Sequence, residues 1–148
     1  MYLPASTDVL RLLVDGRPWS ASRAFAVTPA VRAADPGRAD EEELEFLVFL
    51  QAAHACLTGP GAAPARRVVV SADVAADSVH PVDDLAAVVL DLPLLARQVA
   101  AVHVDDAEGA AAVAQVLAGA PPERLDEVAL LWFAASELDL ALAEAARG

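Results

Sequence analysis

The chain has 148 residues, a length that suits one domain around a single core, and it is 57% apolar with a formal charge of −12. Residues 1–74 carry seven arginines and nine carboxylates, residues 75–148 three arginines and thirteen carboxylates, and so acidic a second half argues against direct binding of DNA or RNA. One cysteine excludes an intrachain disulfide and a thiolate metal cluster, and no uncharged apolar run approaches the roughly 20 residues that span a bilayer.

MYLPA opens as a short strand. Ser6 is placed to cap a helix whose stripe is Val9, Leu10, Leu12 and Leu13, and Gly16 stands where a C′ glycine belongs. A loop through Trp19 leads to a strand over 24–28. Thr28-Pro29 then reads as an N-cap followed by Pro at the first helical position. Asp40 and Glu43 have the spacing of a capping box, and Glu41, Glu42, Glu43 and Glu45 crowd the positive end of the helix they open. That helix runs to about Leu57, is closed by Gly59 and Pro60, and carries apolar residues on adjacent faces, which predicts that it is largely buried. Residues 58–65 read as a flexible connection.

RRVVVSADV predicts a strand that Arg66 and Arg67 open in solvent. Residues 75–84 read as a polar loop, LAAVVLDL as a strand, PLLARQ as a turn and 99–105 as another strand. Asp105 or Asp106 caps an alanine-rich helix to about Gly119. VALLWFAAS is the last strand, and Ser136 caps the final helix. Several strand-to-strand links are too short for a parallel crossover. The expected fold is therefore α+β: a mixed, largely antiparallel sheet of about six strands packed by helices in a two-layer sandwich. Residues 1–148 are read as one domain, with halves 1–61 and 62–148 that could each be ferredoxin-like.

Thirty-six residues are alanine, so the apolar area available for burial rests on Leu, Val, Phe and Trp. Lys, Ile and Asn, whose codons are AT-rich, are absent, which points to a high-GC genome. The first residues lack the basic start and long apolar run of a signal peptide, so a cytoplasmic location is expected. Cys56 lies among apolar neighbours and is expected to be a buried, inert thiol.

The residues with the most chemical promise lie at the end of strand 99–105. Alternation puts His103 and Asp105 on one face, and Ser71 and Asp73 share a face of strand 68–74. If the two strands are neighbours, an imidazole and carboxylates converge. Such a patch could hold a divalent metal through His103 and Asp105, or use His103 as a general base held by Asp105 or Asp73. Equally, Asp105 is a helix cap and Asp73 a turn residue. His54 and His80 share no zinc-site spacing with His103, and no phosphate loop or nucleophile elbow occurs. No cofactor is implied.

In VALLWFAAS, Leu130 and Trp132 face one side and Leu131 and Phe133 the other. A strand apolar on both faces is central in its sheet or meets another subunit. Trp19, a large aromatic in a loop, needs a pocket or a partner.

Four segments, YLPA at 2–5, AFAVTPAVRAA at 24–34, VAAVHVDD at 99–106 and LLWFAASEL at 130–138, together resemble a family of small uncharacterised proteins from high-GC actinobacteria, a domain of unknown function. The resemblance covers nearly the whole chain and implies a compact cytoplasmic protein with no assigned activity. It departs from the family pattern where Phe133 and Ala134 stand in place of a Tyr-Asp pair.

Together these readings favour a non-enzymatic protein-interaction domain. It would be a homodimer or pair with another cytoplasmic protein, using Trp19 and Leu130, Leu131, Trp132 and Phe133. The alternatives are a small metal-dependent hydrolase on the His103/Asp105/Asp73 patch and a small-molecule sensor, which needs an apolar pocket between sheet and helices.

Overall fold

The computed structural model describes residues 1–37, 40–58, 62, 64–82 and 85–147. Its elements are β1 (Tyr2–Ala5), α1 (Thr7–Val14), β2 (Ala24–Phe25), α2 (Pro29–Ala34), α3 (Glu41–Ala55), β3 (Val68–Ala72), β4 (Val79–Pro81), β5 (Ala87–Leu90), β6 (Val99–Asp105), α4 (Ala107–Leu117), β7 (Leu130–Ala134) and α5 (Leu138–Ala145). Short 3₁₀ turns cover Ala76–Ser78, Ala96–Gln98, Pro122–Glu127 and Ala135–Glu137.

The strands form one open sheet in the order β4-β5-β2-β1-β3-β6-β7, and every pairing is antiparallel. The fold is α+β, as expected, but helices lie on both faces of the sheet and not on one, so the two-layer sandwich is not what forms. The seventh strand, β4, comes from the stretch read as a polar loop: it alternates too briefly to stand out, and pairing with β5 makes it a strand. The halves do not separate, because β1 and β2 lie between β5 and β3.

Helices cover both faces. Val68, Val70, Val102 and Val104 point to the side where Leu10 and Leu13 of α1 pack beside Ala141 and Ala145 of α5. Val69 and Phe25 point to the opposite side, against Val48, Ala52 and Ala53 of α3. Alternation along each strand produces this division. A smaller cluster joins Ala112 and Val113 of α4 to Leu125.

The local signals mark the starts of α1, α2 and α3. Ser6 accepts from the Val9 N–H at 3.3 Å, and Thr28 from the Val31 N–H at 3.2 Å. Both capping-box bonds of α3 are made, Glu43 N–H to Asp40 Oδ1 at 2.9 Å and Asp40 N–H to Glu43 Oε2 at 3.0 Å. Asp106, not Asp105, caps α4, accepting from the Gly109 N–H at 2.9 Å. Ser136 does not cap α5. It lies in the preceding 3₁₀ turn, where the Glu137 carboxylate instead takes the Ala134 N–H at 2.9 Å. Gly59 and Pro60, read as the stop of α3, lie outside the described residues, as do Asp83 and Asp84.

Two burial expectations are corrected. Helix α3 is buried only along Leu44, Val48, Ala52, Ala53 and Ala55, while Phe46 and Leu47 are 58% and 51% exposed. Arg66 and Arg67 do not open β3 in solvent: both are buried, Arg67 completely. Among the described residues no helix is long and apolar enough to cross a membrane.

Candidate functional site

A helix is about 10 Å across and strands are about 4.8 Å apart, so one helix covers two or three strands. Helix α3 packs over β1, β2 and β3. The sheet continues past it through β6 and β7, where the chain from Asp126 to Leu130 stands opposite α3. The result is a hollow of about 610 Å³. Its floor holds Tyr2, Ser71, Ala101 and His103, its helix wall Glu42, Glu45, Phe46 and Phe49, and its far wall the chain from Asp126 to Leu130, with Trp132 on β7 at the edge.

Strand register explains the floor. Val69 lies opposite His103, and His103 opposite Trp132, while Tyr2, Ser71, Ala101 and Ala134 form the next row. Ser71 and His103 are thus diagonal neighbours on one face, and Ser71 Oγ and His103 Nε2 are 3.0 Å apart. Phe49 covers the imidazole at a ring separation of 4.7 Å and meets Tyr2 edge-on at 5.5 Å. Burial pushes the His103 pKa down to about 4, so the ring is neutral at pH 7. Tyr2 has its hydroxyl pKa raised, by burial first and then by the charge of Glu45.

The far wall is held from beneath by a buried ion pair. Arg67 Nε lies 3.0 Å from Asp105 Oδ2 and Arg67 Nη2 2.8 Å from Oδ1, with both side chains inaccessible to solvent. The Arg67 backbone N–H also donates to Asp105 Oδ2 at 2.7 Å. The remaining guanidinium donors reach the Leu125 carbonyl at 3.1 Å and the Val128 carbonyl at 3.2 Å. One arginine therefore ties β3, β6 and the wall segment together. The wall is fastened to α3 as well, through His54 Nε2 and Asp126 Oδ1 at 2.8 Å.

The expected neighbours β3 and β6 are paired, and this brings Ser71 and His103 together. Asp105 shares their face but not their site, because Arg67 engages both its oxygens. Asp73 follows an irregularity in register after Ser71, is exposed, and lines a separate hollow with Thr28 and Val79. Among the described residues no three histidine, cysteine or acidic side chains are grouped to hold a metal. His80 pairs with Asp91 at 2.7 Å on the surface.

The last strand is not central: β7 ends the sheet. Leu131 is 41% and Trp132 62% exposed, while Phe133 and Leu130 are half-buried against the two faces of the core. Trp19 bridges to Leu94 and packs half-buried against the main core. Cys56 is half-buried, its thiol near the Val68 carbonyl at 3.2 Å, and burial raises its pKa to about 11. Phe46, Phe49, Glu42 and Glu45 were missed as site residues. Their i, i+3 and i+4 spacing was readable, but nothing local showed that the helix stops short of covering the sheet.

Over residues 1–142 the chain matches the model of a family described as a family of unknown function. The match agrees with the kind of family that the four motifs suggested. No curated protein and no solved structure matches the chain.

Proposed function

We propose that this chain, which belongs to the family of unknown function DUF6912, is a non-enzymatic recognition domain that binds a small molecule in the hollow beside α3. The observation that carries this reading is the hollow itself: about 610 Å³, walled by aromatic rings, with one polar pair, Ser71 and His103, at its floor. Binding sites for small molecules fall in this size range and combine an apolar lining with a few fixed polar groups. The test is a fragment screen by ligand-observed NMR on the whole chain, repeated with Trp132→Ala. Hits that weaken in the variant support the reading. A screen whose hits are indifferent to Trp132 would refute it.

The hydrolase reading draws less support from the same geometry. Ser71 and His103 are in hydrogen-bond reach, but a base with a pKa of about 4 takes up protons poorly at neutral pH. The carboxylate that would orient the imidazole is committed to Arg67.

A specific observation favours a second reading, homodimerisation through β7. This edge strand carries neither charge nor proline, the usual devices that block edge pairing, whereas β4 at the other edge ends in Pro81. Sedimentation analysis decides it: a dimer that dissociates in Leu131→Lys supports it, and a monomer at high concentration rejects it.

A further inference from the structure

Four carboxylates open α3, and two of them have local roles. Glu43 closes the capping box, and Glu41 pairs with Arg32 at 2.5 Å. Glu42 and Glu45 have neither role: among the described residues neither takes part in an ion pair. The helix dipole favours an anion within the first turn, which accounts for Glu42, but Glu45 lies beyond that turn. Both line the hollow. The spacing of Glu42, Glu45, Phe46 and Phe49 places two carboxylates and two rings on one helical face.

Trp132 faces the hollow from the sheet and is as open to solvent as Phe46. Asp126 and Glu127 add negative charge on the far wall, although each already has a partner, His54 and Arg124. No arginine lines the hollow among the described residues, and His103 is neutral there. The charge of Glu45 extends to the floor, where it acts on the Tyr2 hydroxyl. Glu45 also interacts with Arg32 and with the Met1 ammonium, but neither lines the hollow, and an aromatic surface under a net negative field attracts cations and repels anions.

We infer that the hollow takes a small organic cation, a protonated amine or quaternary ammonium. Its charge lies near Glu42 and Glu45 over the faces of Phe46 and Trp132, and its hydrocarbon body rests on Phe49. This rests on the reading of the hollow as a binding site, and the size of the hollow selects a free small molecule over a folded partner.

The test uses three probes of one shape: phenethylamine, 2-phenylethanol and phenylacetate, cationic, neutral and anionic at pH 7. Binding to the whole chain is followed at the Trp132 indole N–H by NMR. Phenethylamine is expected to bind about tenfold tighter than the alcohol, with the anion last. The preference should fall away in the double variant Glu42→Gln/Glu45→Gln and shrink with added salt. If the alcohol binds as well as the amine and both need Trp132, the hollow is a site but the cation inference is wrong. If none of the three perturbs Trp132, both readings fail. If a hexa-arginine peptide uses the same two carboxylates and outcompetes phenethylamine, the assignment to a small molecule is overturned.

Discussion

Removing one partner of the Arg67–Asp105 pair should be among the most destabilising single changes in this chain. Asp105→Ala leaves a guanidinium that is wholly buried and strips it of its contacts to both carboxylate oxygens, at 2.8–3.2 Å. The Arg67 backbone N–H loses its 2.7 Å acceptor as well. An uncompensated buried charge of this kind costs about 3–5 kcal/mol. Set against a net stability of about 5–15 kcal/mol, this is a large share, and for a chain of this length it lowers Tm by roughly 6–20 °C. Arg67→Met should cost a similar amount, since it orphans Asp105 and frees the Leu125 and Val128 carbonyls. In the double variant Arg67→Met/Asp105→Leu both charges are gone, so it should be more stable than the sum of the single losses predicts. Urea unfolding followed by tryptophan fluorescence, closed as a double-mutant cycle, measures this coupling. A cost below about 1 kcal/mol for Asp105→Ala, or strictly additive singles, would refute the claim that the pair is dry and mutually dependent.

Gly109→Ala should destabilise by about 1–3 kcal/mol, against the roughly 1 kcal/mol that alanine ordinarily gains in a helix. A Cβ there would come within 2.7 Å of Asp105 Cγ and 2.8 Å of its Cβ, and Arg67 holds that carboxylate in place; a more stable variant in denaturant melts would contradict this. Burial keeps the folded His103 pKa at about 4, whereas the unfolded chain takes up the proton near pH 6.5. Stability from this residue is therefore complete above about pH 6.5 and is lost as pH falls toward 4, by up to about 3 kcal/mol. His103→Gln should flatten that limb of the pH–stability curve, and an unchanged slope would show that the ring titrates normally. With its thiol pKa near 11, native Cys56 should react with iodoacetamide at pH 8 about a hundredfold more slowly than a free thiol, and at the ordinary rate in urea. Fast labelling of the native chain would contradict the assigned burial.

Much of the architecture was legible before any coordinates. Side-chain period and cap chemistry are local properties, so Ser6, Thr28 and the Asp40/Glu43 box marked their helix starts, and the alternation in 99–105 matched β6 to the residue. Short links between strands were enough to indicate an antiparallel α+β sheet. The site was only half legible. Ser71 and His103 could be paired by assuming that β3 and β6 are neighbours, but Asp105 looked like part of the same patch. Its commitment to Arg67 depends on a residue 38 positions away and on a burial that no local pattern reports.

Sequence alone determined the class of fold, the starts of α1 to α4 and the faces that each strand would present, because these follow from backbone geometry over a few residues. Tertiary structure decided strand order, the edge position of β7, the burial of Arg67, and the gap between α3 and the far wall. Those depend on how wide a helix is relative to the sheet it covers and on which distant charges meet in the absence of water, and neither quantity is written in any single segment of the chain.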